Sequence, residues 1–353
     1  MKIAFLGLSI TSSWGNGHAT NYRALVRELT ARGHEVLFLE RDVPWYASQR
    51  DLPEPPWGRT ELYGSLEELE GHGDEVAAAD LVVIGSYVPE GVAAAEWVLE
   101  RAGGAVAFYD IDTPVTLGKL RRGDQEYLSP DLVGRFDLYL SFTGGPTLEV
   151  LEGEFGARRA IAFHCLVDPE AYRPLQAAPR WDLGYLGTYS EDRQPVLERL
   201  LIEPARRSPG AEFALAGPQY PEGIEWPQNV ERIEHVPPGD HPAFYASQRF
   251  TLNVTRAAMR EAGWSPSVRL FEAAACGVPV ISDRWDGLEE IFTPGEEILV
   301  ADSAEDVVRH LAGTGEDRRL ALGERARARV LAEHTAARRC ELLEEEVAGV
   351  AVR

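Results

Sequence analysis

The sequence predicts an α/β protein made of two doubly wound halves, and three observations carry that reading. Lys2 to Gly7 is a short apolar run that breaks at glycine. Helical spacing follows in Tyr22, Leu25, Val26 and Leu29, with Gly33 as the stop, and then His34 to Glu40 reads as another strand. Strand, loop, helix and strand in that order open a parallel sheet. The same pattern restarts near Trp181, with strands over 182–187 and 213–217 and a helix over 195–201 between them. Finally, 353 residues are long for one domain and comfortable for two.

In the first half, further strands are expected at Leu81–Ile84, Ala105–Tyr109 and Leu138–Ser141, with a helix over Glu90–Arg101. Val43 to Leu62, rich in proline and tryptophan and without a period, reads as a long ordered loop at the ligand edge of the sheet. In the second half, strands are expected at 230–235 and 251–254, with a short helix over 242–247. The tail from Asp317 to Val350 is helical by composition and should break near His334–Thr335.

Bulk properties exclude several classes. Apolar residues at 44% and charged ones at 26% describe an ordinary globular protein. A net charge of −22, spread over both halves, argues against nucleic acid or an anionic membrane as the main partner, because both demand clustered positive charge. Cys165, Cys276 and Cys340 are far apart and lack metal-ligand spacing, so they read as structural thiols of a reducing, cytoplasmic compartment. No apolar run of about twenty residues offers a transmembrane segment.

The most informative stretch runs from Trp264 to Phe292, WSPSVRLFEAAACGVPVISDRWDGLEEIF. Ser265 has the chemistry of an N-cap and Pro266 that of a first helical position. Gly277 supplies a left-handed stop, Pro279 prevents continuation, and Val280-Ile281-Ser282 reads as a buried strand. At about 100° per residue, Val268, Leu270, Phe271, Ala274 and Ala275 form one face, and Ser265, Arg269 and Glu272 the opposite one. Two readings stand. The polar stripe receives a phosphate at the helix N-terminus and sugar hydroxyls at Glu272, or it is a solvated face with an Arg269–Glu272 pair.

The segment SPSVRLFEAAACGVPVISD, followed by WDGLEEIF, resembles the nucleotide-binding part of the spore-maturation CgeB-like glycosyltransferases, a GT-B group related to glycosyltransferase family 4. The resemblance implies two Rossmann-like domains facing across a cleft, 1–168 on the acceptor side and 181–335 on the donor side. It implies a linker over 169–180, where Val167-Asp168 and Arg173-Pro174 match the family pattern, and a C-terminal helix over 336–353 returning to the first domain. It assigns Glu272 to the donor ribose and Ser265, Pro266, Ser267 and Arg269 to the donor. It also assigns Gly187, Thr188 and Arg193, in the loop GYLGTYSEDR, to the diphosphate, and the main chain of Val236 to the nucleobase. One departure stands out. Where family 4 has a second glutamate eight positions before Glu272, this chain has Trp264, and the nearest acid is Glu261.

In the first half, TSSWGNGHAT lies after the first strand, where open α/β sheets bind ligands. Gly15 and Gly17 let backbone N–H groups approach an anion, and Asn16 and His18 add donors. A dinucleotide fold competes, with Glu40 where a ribose ligand would sit, but Thr20 occupies the third glycine position of the fingerprint. Asp110-Ile111-Asp112 is formally the metal-binding D-x-D of GT-A enzymes; in a GT-B frame no metal or cofactor is expected, and His18, Asp110 or Asp112 becomes the general base or the acceptor ligand. Trp14, Trp45, Tyr46 and Trp57 sit in loops where rings stack on sugars or planar acceptors, or anchor the loop itself.

The expected activity is transfer of a sugar from a nucleotide-diphosphate donor to an acceptor whose identity the sequence does not reveal. A catalytically inactive binding or assembly protein and a nucleotide-sugar epimerase on the same fold are the alternatives.

Overall fold

The structure, a computed structural model, describes residues 1–15 and 17–350. It divides into two compact units, one of Met1–Leu166 with the C-terminal segment that begins at Ala336, the other of Val167–Thr335.

The first unit is built on seven strands, β1 (Lys2–Gly7), β2 (Glu35–Arg41), β3 (Arg59–Tyr63), β4 (Leu81–Gly85), β5 (Ala105–Asp110), β6 (Leu138–Ser141) and β7 (Ala160–Ala162). All pair in parallel, in the order β3-β2-β1-β4-β5-β6-β7. The order reverses between β1 and β4, which places the loop after β1 at the crevice where such sheets take ligands. The inner strands are buried on both faces, as a sheet covered by helices on each side requires. Under the first helix, Phe5 stacks on Phe38 at 6.0 Å while Tyr22 meets Phe38 edge-on at 5.1 Å.

The second unit carries β8 (Trp181–Leu186), β9 (Phe213–Ala216), β10 (Val230–Ile233), β11 (Gln248–Asn253), β12 (Val280–Ser282) and β13 (Leu299–Val300), again all parallel, in the order β10-β9-β8-β11-β12-β13. Its reversal lies between β8 and β11. The tail breaks where the sequence predicts, into helices Glu316–Glu333 and Ala336–Gly349. The last of these buries Cys340 and Leu343, with the Cys340 thiol turned to the Leu25 carbonyl of the His18–Ala31 helix, and Glu344 pairs with Arg32 at its rim.

Several elements were not expected from the sequence. Val43–Leu62 is not all loop, since it holds the short helix Pro44–Ala47 and most of β3. An edge strand is paired on one side only and so tolerates the charged residues Arg59 and Glu61. β7 has three residues, too few for a period. The helix Ala304–Gly313 opens on a capping box between Ser303 and Asp306.

Candidate functional site

In the second unit the central helix spans Val268–Ala275, so it starts later than Ser265 and Pro266 imply. Ser267 is the N-cap, in extended conformation, but its hydroxyl donates to Asn253 Oδ1 at 2.8 Å instead of capping. Ser265 is buried with its hydroxyl against Met259 Sδ, and Pro266 precedes the cap. Gly277, at φ +72°, provides the stop.

Arg269 and Glu272 overturn the solvated-face reading. They are 9% and 5% exposed, because the face opposite the apolar one is covered in turn by the end of β8 and by the helix His241–Ala246. Arg269 donates through Nε to the Leu186 carbonyl and through Nη1 to Asn253 Oδ1 at 3.3 Å, and its guanidinium lies over the Tyr185 ring. Glu272 accepts from the Tyr245 hydroxyl at 3.1 Å and stands 4.0 Å from His241 Nδ1. The two side chains do not pair with each other.

His241 donates through Nε2 to the Val236 carbonyl at 3.2 Å, which leaves Nδ1 to accept from Tyr172. His241 thus touches the Val236 main chain and stands beside Glu272. His241, Tyr245 and Asn253 contact the predicted residues, and no motif announces them, since each does so from a distant part of the chain.

Gly187 lies just past the end of β8, in the turn before Thr188. Its N–H donates to the Ala216 carbonyl at 2.8 Å, so it is not free for a diphosphate. What Gly187 supplies is space: a Cβ there would stand 2.6 Å from Tyr185 Oη and 2.8 Å from Arg269 Nη2. Thr188 is half-buried and its carbonyl accepts from Arg193 Nη2 at 2.8 Å, while Arg193 Nε is buried with no partner among the described residues. Neither Arg193 nor Arg269 has a carboxylate within ion-pair distance among the described residues. Trp264, in place of the second family glutamate, holds a left-handed backbone at φ +43° with its ring packed where any Cβ on Gly287 would fall. Glu261 is exposed.

In the first unit, Gly15 is exposed with φ +58°, Gly17 is exposed and opens the first helix, and Asn16 lies outside the described residues. His18 and Asp112 are brought together through Tyr87. The His18 and Tyr87 rings lie 5.5 Å apart, and Tyr87, itself at φ +64°, donates to Asp112 Oδ2 at 3.1 Å.

Asp110 does not share that surface. It is fully buried and accepts from Tyr139 and, at 2.7 Å, from Thr116, so it meets no acceptor as a general base. Burial pushes its carboxyl up to about 6 against the pull of those hydroxyls. The D-x-D pattern therefore does not present two carboxylates to one ligand.

Glu40 is likewise consumed. Its carboxylate, buried, accepts from the N–H groups of Ile10 and Thr11 and the hydroxyls of Ser9 and Thr11, which fixes the loop after β1 and leaves no ribose ligand for a dinucleotide. Among the loop aromatics, Tyr46 is buried and Trp57 half-buried, whereas Trp14 and Trp45 are 50% and 57% exposed.

Residues 193–345 match a family model described as glycosyl transferase-like. No curated protein matches the chain in sequence. Among solved structures, sucrose-phosphate synthase from Thermosynechococcus elongatus superimposes with a TM-score of 0.69 at 15% identity, over 99% of this chain and 100% of that one. HepE from Anabaena, in complex with UDP and glucose, gives 0.71 at 15% identity over 99% and 100%. An alpha-glucosyltransferase in complex with UDP-glucose and DNA containing an abasic site gives 0.71 at 14% over 99% of both chains. At these identities the likeness is one of fold, and the fold of both units is that of GT-B glycosyltransferases. No described helix is long and apolar enough to cross a membrane.

Proposed function

We propose that this protein is a glycosyltransferase that takes a sugar from a nucleotide-diphosphate donor bound by the second unit. The observation that carries the reading is a pair of arginines, Arg193 and Arg269, without acidic partners among the described residues, beside the tight Gly187 turn and one turn of helix from the buried carboxylate of Glu272. Uncompensated guanidiniums suit a diphosphate, and a carboxylate held by Tyr245 suits ribose hydroxyls. On this reading the diphosphate charge is met by arginine and helix dipole without a metal. His18 or Asp112 takes the acceptor proton. We place the chain in the CgeB-like group, related to family 4, on SPSVRLFEAAACGVPVISD, and in the cytoplasm. A net charge of −22 favours an acceptor other than nucleic acid.

Calorimetry against UDP, GDP, dTDP and ADP, followed by donor hydrolysis, tests this. Binding of one of them with slow hydrolysis of its sugar ester is expected. No nucleotide binding would favour an inactive assembly protein, and inversion at C2 without transfer an epimerase.

A further inference from the structure

A third arginine stands in the same place without any role so far. Arg232, on β10, lies in the corner of two rings that meet edge-on at 72°, 4.3 Å from the Tyr220 centroid and 4.6 Å from that of Trp226. Its Nη2 reaches the Gly217 carbonyl only at 3.5 Å, and its Nη1 is buried with no partner among the described residues. Glu234, nearby in sequence, acts on it through space but forms no ion pair with it. Burial holds its guanidinium below the usual arginine range, as expected for a cation taken from water without a counter-ion.

Its neighbours tie it to the donor turn. The Tyr220 hydroxyl donates to the Gly187 carbonyl at 3.1 Å, and Tyr220 feels the charges of Arg193, Arg269 and Arg232 together. Gly217, at φ +144°, packs so closely that a Cβ there would lie 2.1 Å from the Gly187 oxygen. Three guanidiniums therefore converge on one turn, and none has a carboxylate within ion-pair distance among the described residues. Guanidiniums gathered on one turn without carboxylate partners leave a local excess of positive charge that an anion can neutralise.

We infer that Arg232 is a third cation of the anion site at the Gly187 turn, set in the corner of the Tyr220 and Trp226 rings and directed at the diphosphate of the donor. The inference rests on the donor reading above but adds a residue that neither motif nor resemblance assigns. The aromatic corner favours an arginine over a lysine, because a planar guanidinium can stack on one ring while keeping its edge N–H groups for phosphate oxygens.

The test is calorimetric titration of the full chain with UDP, uridine and inorganic pyrophosphate, in wild type, Arg232→Met and Arg232→Gln. Both substitutions keep a stem beside the rings and remove the charge, so either serves if the other fails to fold. Expected is a loss of about tenfold or more in affinity for UDP and pyrophosphate, with uridine unchanged. If folded variants bind UDP and pyrophosphate as wild type does, Arg232 is a packing residue and the inference falls alone. An equal loss for uridine also overturns it. Wild-type binding of pyrophosphate but of no nucleotide, lost in the variants, would uphold the anion site while overturning the donor reading.

Discussion

The Tyr245 hydroxyl donates to Glu272 Oε2 at 3.1 Å, and both side chains are buried. A carboxylate in that position has a structural partner as well as the function proposed for it, so its removal must be read on two scales. Glu272→Ala should lose one or two charge-assisted bonds to ribose, about 1.5–3 kcal/mol each and hence tenfold or more in nucleoside diphosphate affinity. It should also lower stability by about 1–3 kcal/mol, because Tyr245 is left with a buried, unsatisfied hydroxyl. Glu272→Gln keeps an acceptor for Tyr245 and should melt near wild type while still binding donor more weakly. Titration and melting of both variants check this; wild-type affinity in both would remove the donor ribose from this helix.

Gly187→Ala probes the arginine beside it. The added methyl would collide with Tyr185 Oη, at the end of a buried ring, and with Arg269 Nη2, at the end of a longer and more flexible side chain. Arg269 should yield. The expected outcome is a drop in donor affinity of about tenfold with a stability loss of about 1–3 kcal/mol. A variant that melts low but binds normally would show that Arg269 makes no contact with donor.

Alternation of strand and helix, the stop at Gly277 and the break before Ala336 were legible because each follows from local rules: period, left-handed glycine and interrupted spacing. β3 escaped because an edge strand carries Arg59 and Glu61 in place of an apolar run. The site was legible only where chemistry is local. Glu272 and Arg269 could be put on one face of a helix, yet whether that face met solvent depended on Leu186 and Tyr245, from elsewhere in the unit. Arg232 had no signal at all, since the rings beside it, Tyr220 and Trp226, are on a different loop. Asp110 misled for the same reason: it is the last residue of β5, and Tyr139 and Thr116, from elsewhere in the unit, enclose it.

His18 and Asp112 can be separated by turnover. If one takes the acceptor proton, His18→Ala or Asp112→Asn should lower kcat by about 10²–10⁴ while leaving donor affinity unchanged. Asp112→Asn keeps an acceptor for Tyr87, so a large effect there reports the lost charge and not a displaced ring. Steady-state rates with the acceptor identified for the enzyme, together with donor titration, give the answer. Two variants within about threefold of wild type would place the base elsewhere.

The pH dependence of stability carries two opposed contributions from the first unit. Asp110 has its carboxyl raised by burial from 3.8 to about 6, so between those values the folded state holds the proton more tightly than the unfolded one. Stability therefore falls as pH rises through that window, by an amount on the order of 3 kcal/mol once Asp110 is ionised. His164 is the reverse. Burial, and then the positive charge of Arg339, lower it from 6.5 to about 4, so stability falls as pH drops through its window. The two nearly cancel between pH 4 and 6, and single substitutions should expose each in turn. Relative to wild type, Asp110→Asn should lose stability more steeply on acidification from pH 6.5 to 4, because only the His164 contribution remains. His164→Gln, which can still donate to the Phe142 carbonyl as His164 Nδ1 does at 2.8 Å, should lose less or gain. Every other titrating group is common to the three proteins, so differences between their melting curves isolate this pair. Parallel curves across pH 4–6.5 would mean that neither group is ionised and protonated as its burial dictates.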